Sequence, residues 1–479
     1  MLFILSATLS SIALATIFIS TKFHAISKSS WGQLTLFPAI WATIWCVVSY
    51  ISPVGHLSTW SVAKNEDAYS WILPLLGPVS KDWIVASWAV VLAQAIGRWY
   101  IGAQESEDEF DLMNPQNQSS EHNMRATGFL ALFLVFLTLP SFVWSDLPRS
   151  ASLSTLNVST PVAVGCVLPP YERYKHHILT LDDYITETDK IRSNANILLW
   201  PEGAVTFHSV AEREDAFHKI RSRINDGKYV GVSFEDVVSD PSDSTGRRSL
   251  IQTGLALISS KSNETHLSYY KRHLVPLAES YRLRHSNVPP SIFDLPLPPP
   301  KNIKKGDWAP PPNNTRLIPV TSSICLDFAM PSPFAELESK PALILAPART
   351  WDITVGHAMW LQAKQRAEEL DTMVLWCDGG EGGVSGVAGK GYNDVYQVGP
   401  GSFTRIVGVQ YPFDSRQTVY ASFGDSILIL FWISALGLGF LRGNITRYMS
   451  PSIRSAMQHL KRGRRNGADA TTQPSLLDL

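Results

Sequence analysis

Thr160–Val167 (TPVAVGCV), Leu179–Ser193 (LTLDDYITETDKIRS) and Asn196–Trp200 (NILLW) decide the fold of the water-soluble part of this chain. The first and last are short and apolar, the pattern of buried strands. Between them apolar residues recur at helical spacing in a polar background, and Thr180 is placed to cap the helix. The alternation continues through strands at Lys228–Phe234, Ser249–Ser259, Arg316–Cys325, Ala342–Ala346 and Thr372–Cys377, with a helix over Thr354–Leu370. Such alternation predicts an α/β layered domain. The proline-rich stretch Pro289–Pro312 reads as a stiff extended insertion outside the core.

Outside this region the chain changes character. It has 479 residues, 41 Lys+Arg against 42 Asp+Glu, and only 17% charged residues. A soluble domain has roughly 25%. The deficit lies in uncharged runs: Met1–Ser20, Trp31–Val54, Trp83–Gly97 (reaching about Gly102 if Arg98 snorkels), Ala126–Ser145 and Ser426–Leu441. Each approaches the roughly 20 apolar residues that a spanning helix needs. Met1–Ser20 lacks a basic start and is read as an anchor, not a cleaved signal. Tyr69–Val79, with Pro74 and Pro78, is too short to span and reads as interfacial or re-entrant. The expected organisation is four spans in residues 1–145, a catalytic domain over 146–424, a C-terminal span over 426–441, and a basic, disordered cytosolic tail over 442–479. A net charge of −1 excludes a dedicated nucleic-acid binder, which would carry a basic field.

Orientation follows the basic residues. Arg442, Arg447, Arg454, Lys461, Arg462, Arg464 and Arg465 follow the last run, so the C-terminus is expected in the cytosol and the central domain on the lumenal, extracytosolic side. Lys22 and Lys28 agree with this; the acidic loop Ala103–Arg125 does not. Sequons at Asn157, Asn263 and Asn313 would then be open to glycosylation. Four cysteines (Cys46, Cys166, Cys325, Cys377) are too few for a disulfide scaffold, and no spacing suggests a metal site.

Three residues break the local rules. Glu202 ends an apolar strand, where a carboxylate is costly unless it is used or paired. Lys271 sits in Tyr269-Tyr270-Lys271-Arg272-His273-Leu274-Val275-Pro276-Leu277-Ala278-Glu279. Cys325 ends another apolar strand. Each has an ordinary reading as well: a solvated turn, a basic surface loop, an inert core thiol.

Base, cation and thiol occur in the chain order Glu, Lys, Cys. That order resembles the nitrilase (carbon–nitrogen hydrolase) superfamily, and more closely its membrane-embedded branch, the apolipoprotein N-acyltransferases. Leu199-Trp200-Pro201-Glu202-Gly203-Ala204 is similar to that family's W-P-E-T-A motif. Tyr269-x-Lys271-x-His273-Leu274-Val275-Pro276-x-x-Glu279 is similar to Y-x-K-x-H-L-V-P-F-G-E, and Ile324-Cys325-Leu326-Asp327 to I-C-Y-E. Trp351 with Arg366-Ala367-x-Glu369 resembles its W…R-A-x-E segment, and Gly383-Val384-Ser385-Gly386 a G-x-S loop. The departures are Gly203 for Thr, Leu277-Ala278 for Phe-Gly, and Leu326-Asp327 for Tyr-Glu.

The resemblance implies a nitrilase-like α–β–β–α sandwich inserted between transmembrane helices. It implies Cys325 as nucleophile, Glu202 as general base, Lys271 as stabiliser of thiolate and oxyanion, and Glu279 as the second glutamate orienting Lys271. An amide near Leu326 would complete the oxyanion site. The implied donor is a phospholipid and the acceptor an amine or lipidated protein, as in lipoprotein biosynthesis, with no metal or organic cofactor. The alternative is a membrane-tethered amidase or nitrilase-type hydrolase of a small amide.

Overall fold

The computed structural model describes residues 2–23, 29–59, 67–102, 115–143, 156–170, 178–240, 248–300, 303–312, 314–390 and 392–437. The tail after residue 437, Lys28 and Asn313 lie outside the described residues.

The apolar runs are helices: α1 (Leu2–Phe23), α2 (Ser30–Ile51), α3 (Pro78–Gly102) and α4 (Pro115–Phe136). By length and composition, Ser30–Ile51, Pro78–Tyr100, Met124–Phe142 and Val419–Leu436 can each cross a bilayer, while Ser10–Phe23 is a shorter apolar helix. The chain is an integral membrane protein on this ground. The last of these helices begins at Val419, ahead of the uncharged run at Ser426. The chain divides into two compact units. In the first (1–41, 86–132 and 428–479), the Trp31 ring meets Phe129 edge-on at 5.6 Å, and its Nε1 donates to Ser434 Oγ at 3.1 Å.

The second unit (42–85 and 133–427) holds two mixed sheets. The first contains β1 (Ser159–Cys166), β2 (Ile197–Leu199), β3 (Val205–Phe207), β4 (Tyr229–Ser239), β5 (Ser249–Ser259) and β6 (Leu267–Tyr270). The second contains β7 (Phe293–Leu297), β8 (Arg316–Ser322), β9 (Leu343–Ala348), β10 (Met373–Asp378), β11 (Val384–Gly389) and β12 (Tyr392–Val398). The last strand, β13 (Phe403–Gln410), returns to the first sheet beside β1, giving the order β13-β1-β2-β4-β5-β6 with β3 on β4; the second runs β12-β11-β10-β9-β8-β7.

Strand periodicity builds the layers, because alternate residues point to opposite faces. Ile197, Leu199, Tyr229, Leu255 and Leu257 join the core shared with β9 and β10, whose far side is closed by Met359, Trp360 and Ala363 of α7 (Ile353–Glu369). Their neighbours Leu198, Val230, Val232, Ala256 and Ile258 face Tyr184 and Ile185 of α5 (Leu181–Ile191) and Phe217 and Ile220 of α6 (Val210–Arg221). The result is the α–β–β–α sandwich that the resemblance implied. Thr180 caps α5, sharing Asp183 in a capping box.

Four details differ from the sequence reading. Inside the proline-rich insertion, β7 pairs antiparallel with β8 and buries Leu295 and Leu297 in the core. Pro296 is tolerated there because β7 is an edge strand, with one side free of ladder bonds. The strand expected to reach Cys325 stops at Ser322, and Cys325 opens a 3-10 turn (Cys325–Ala329). The expected G-x-S loop is strand: Ser385 lies within β11, fully buried. Cys166 and Cys377, 211 residues apart, form a disulfide joining β1 to β10, with 5.5 Å between Cα atoms. Cys46 and Cys325 are free thiols.

Closing so long a loop stabilises mainly by restricting the unfolded chain. The double variant Cys166→Ser/Cys377→Ser is expected to lose about 2–5 kcal/mol, read as a lower denaturant midpoint. An unchanged midpoint would mean that the crosslink contributes nothing. Of the sequons, Asn157 and Asn263 are exposed.

Candidate active site

β2, β4 and β6 run in one direction within the first sheet, as do β8, β9 and β10 within the second. Ligand-bearing residues of α/β folds collect where such strands end. Glu202 follows β2, Lys271 follows β6, Cys325 follows β8, Arg349 follows β9, and Asp378 closes β10. The sheets meet here: Glu202 N donates to Ala348 O at 3.3 Å, as does Gly379 N at 3.0 Å.

Lys271 is fully buried, and its Nζ donates to Glu202 Oε1 and Glu279 Oε1, each at 2.7 Å. The loop between Lys271 and Glu279 turns back on itself, with Leu277 at φ 63° and Val275 N donating to Glu279 Oε2 at 2.8 Å. That turn brings two groups eight residues apart onto one contact. Burial pushes the Glu202 carboxyl up to about 7, against the opposing pull of the Lys271 ammonium. Lys271 is lifted above its ordinary value: burial works against its charge, but the charges of Glu202, Cys325 and Glu279 outweigh it.

Cys325 is 5% exposed and has φ 45°, a left-handed backbone that non-glycine residues adopt rarely. Its thiol lies within electrostatic reach of the Glu202 carboxyl and of the backbone N–H of Arg349. Burial holds the thiol well above its usual range, and the Glu202 charge adds to this while Lys271 opposes it. At rest the sulfur is therefore protonated, with the Glu202 carboxyl as the nearby group that can take the proton.

Asp327 ties this turn to the lysine strand. It is buried and accepts from Tyr269 Oη at 2.8 Å, Arg272 N at 3.2 Å, His273 N at 2.8 Å and Ile324 N at 3.3 Å, with His273 Nδ1 at 2.9 Å. Behind it, Arg366 Nε donates to Phe328 O at 3.0 Å, and the same buried guanidinium pairs with Glu369. On the other flank Gly55, at φ 54°, lies so close to Ala329 that an added Cβ would sit 2.2 Å from its carbonyl oxygen. The loop after α2 thus presses directly on the cysteine turn.

A cleft of about 1130 Å³ opens over Glu202, lined also by Pro201, Glu235, Arg349, Thr350 and Trp351. Cys325 does not line it, but Glu202 and Arg349, both within electrostatic reach of the sulfur, do. The structure therefore brings together Glu202, Lys271, Glu279 and Cys325. Trp351 stands at the cleft, and Arg366 and Glu369 lie in the packing beneath the cysteine turn. Sequence reading missed Arg349, Thr350 and Asp378. The Asp378 carboxylate, raised by burial, accepts from Thr350 N at 2.9 Å, Thr350 Oγ1 at 2.7 Å and Gly380 N at 3.0 Å. The available signal was an acidic residue ending an apolar strand, the same feature that singled out Glu202.

No family model matches the chain. A curated relative, the apolipoprotein N-acyltransferase of Coxiella burnetii (strain RSA 493 / Nine Mile phase I), is 26% identical over 203 residues, covering 41% of this chain and 38% of the relative. The chain resembles the acyltransferase branch of the carbon–nitrogen hydrolases. It spans less than half the length of that curated relative. Among solved structures, an amidase from Nesterenkonia sp. is 15% identical, with 60% of this chain and 99% of that one covered at TM-score 0.36. A nitrilase-superfamily member of Saccharomyces cerevisiae is also 15% identical, with 55% and 93% covered at TM-score 0.37.

Two departures from the acyltransferase motifs have local structural counterparts. Gly203, where the motif has threonine, is at φ 60° with the Glu235 carboxylate 3.1 Å from where a Cβ would stand. Leu277, where the motif has phenylalanine, is 87% exposed on its left-handed turn.

Proposed function

We propose that the chain is a membrane-embedded N-acyltransferase that moves a fatty acyl group from a phospholipid to an amine through a thioester on Cys325. The observation that carries this reading is a buried lysine bonded to two carboxylates, Glu202 and Glu279, with the Cys325 thiol within electrostatic reach, in a chain with four bilayer-length helices among the described residues. The partial likeness to an apolipoprotein N-acyltransferase supports it.

In the first half-reaction the Cys325 sulfur attacks the ester carbonyl and its proton passes to Glu202. An ammonium has three N–H donors; Glu202 and Glu279 engage two, leaving one for the developing oxyanion. The carbon–oxygen bond breaks, and Glu202 returns the proton to the departing lysophospholipid alkoxide. In the second half-reaction an amine attacks the thioester, Glu202 takes a proton from it, and the thiolate leaves and is reprotonated. Glu279 holds Lys271 in place throughout. The acceptor class is a primary amine, including the amino group of a lipidated protein. The catalytic domain faces the extracytosolic side with the C-terminus in the cytosol; the Cys166–Cys377 bond supports this, since disulfides persist in oxidising compartments.

The test supplies isotope-labelled phospholipid and a primary amine to the purified protein. N-acylated amine and lysophospholipid in equal amounts are expected. Ammonia released from a small amide without lipid, and no acyl transfer, would favour the hydrolase instead.

The same chemistry fixes a pH dependence. Glu202 acts as base only when ionised, and it titrates at about 7. Cys325 acylation is therefore expected to rise with pH through about 7 and to level off above it. Glu202→Gln should abolish that limb and lower the rate about 10²–10⁴-fold. A flat profile in the unmodified protein would contradict the role of Glu202.

A further inference from the structure

Arg349 differs from Arg316 and Arg366 of this domain. Arg316 is buried with its guanidinium spent on the fold, bonding Trp308 O, Ser159 O, Thr160 Oγ1 and Leu156 O, and Arg366 is buried too, bonding Phe328 O and Glu369. The Arg349 side chain is exposed in the cleft and makes no hydrogen bond or ion pair among the described residues. Its main chain is fixed. Ala348 before it accepts from Glu202 N and Gly379 N, Thr350 after it is clamped by Asp378, and the Arg349 amide lies within electrostatic reach of the Cys325 sulfur. A rigid backbone thus presents one free guanidinium beside the nucleophile.

The charges around it sharpen the point. The cleft carries Glu212, Asp215, Glu235 and Glu381, yet Arg349 pairs with none of them. Glu212 accepts from His208 N and Glu235 from Thr206 Oγ1. The other cation lining the cleft, Lys219, is bonded to Asp182 at 2.5 Å. Lys271 is held between two carboxylates. Arg349 is therefore the one cation lining the cleft, among the described residues, that is free for an incoming anion.

We propose that Arg349 is the anion anchor for the acyl donor, its guanidinium binding the phosphodiester of the glycerophospholipid whose ester is presented to Cys325. This rests on the acyltransferase reading above. Guanidinium matches phosphate oxygens in a bidentate fork of charge-assisted hydrogen bonds. In a glycerophospholipid the phosphate and the ester carbonyl are separated by a few glycerol bonds. An extended arginine side chain covers a comparable span from its own backbone. One lipid can therefore place its phosphate on the guanidinium and its carbonyl near the Cys325 sulfur. Arg349 acts here as a specificity residue, selecting donors that carry a phosphate.

The test compares two donors in the full-length protein held in detergent micelles: phosphatidylglycerol, and a p-nitrophenyl fatty acyl ester that lacks phosphate. The readout is the ratio of kcat/KM for the two donors, with Cys325 acylation followed by mass. Arg349→Gln is expected to lower that ratio about 10–100-fold, the worth of a charged hydrogen bond, chiefly through KM for the phospholipid. Arg349→Lys is expected to recover part of it. Equal losses with both donors, or a ratio within about twofold of the unmodified protein, overturn the proposal. Inorganic phosphate that blocks both donors alike would mark a free-anion site and overturn the lipid assignment. Unmodified protein that uses the ester and never the phospholipid would overturn the acyltransferase reading itself.

Discussion

Replacing Lys271 by methionine is expected to remove acylation of Cys325 almost entirely, by about 10³-fold or more, and to destabilise the domain. Methionine preserves most of the stem volume, so packing is not the main loss. The lost ammonium leaves Glu202, 6% exposed, and Glu279, 21% exposed, sharing a site with no cation between them. Breaking a buried pair on one side costs about 3–5 kcal/mol. The Lys271 charge is what pulls the Glu202 titration downwards, so without it Glu202 shifts above about 7 and stays protonated at neutral pH. The base and the oxyanion donor are lost together. A carboxyl raised by burial destabilises only once ionised: there is no cost below the unfolded carboxylate range, and the full cost applies above the folded one. The melting deficit of Lys271→Met should therefore be larger at pH 8 than at pH 5. Calorimetry at both values, with acyl-enzyme mass alongside, checks it. A variant that acylates at the unmodified rate would remove Lys271 from the mechanism.

Cys325→Ala is expected to lose transfer to the uncatalysed background while keeping its fold. Only a sulfur is removed, and alanine meets the same left-handed backbone at φ 45° that cysteine does, so the expected stability change is about 1 kcal/mol. Cys325→Ser keeps a protic side chain beside Glu202 but offers a far weaker nucleophile, and a fall of about 10³-fold or more is expected. Acyl-transfer assays beside denaturant melts separate the two effects. Residual transfer in Cys325→Ala near the unmodified rate would mean that the amine attacks the lipid directly, without a thioester.

Much of the sandwich is legible because burial imposes a period on the residues. Ile197 and Leu199 face one way and Leu198 and Trp200 the other, and a strand covered on both faces then reads as a continuous apolar run, as NILLW does. The helix starts are legible for the same local reason: Thr180 and Asp183 form their capping box within one turn. The β7 strand was hidden because its prolines mask a strand pattern, and only the free edge of the sheet makes them tolerable. The Cys166–Cys377 bond was hidden because 211 residues separate its ends; pairing is a fact of strand order, which composition does not carry.

Within the site, Glu202, Lys271 and Cys325 stood out as charged or reactive groups at the ends of apolar strands. Arg349 did not, since an arginine after Ala348 is unremarkable until it is found lining the cleft beside Glu202. Asp327 appeared as a departure from a motif, and its function as the acceptor that joins the Tyr269–His273 strand end to the cysteine turn is visible only in three dimensions.

The most direct measurement is the intact mass of the protein after exposure to phospholipid with one isotope-labelled acyl chain and no amine acceptor. One labelled acyl group on the peptide containing Cys325, released by neutral hydroxylamine and discharged on adding a primary amine, is the expected result. Protein that processes the lipid while Cys325 stays an unmodified thiol, or that carries the label on another residue, would contradict the thioester mechanism.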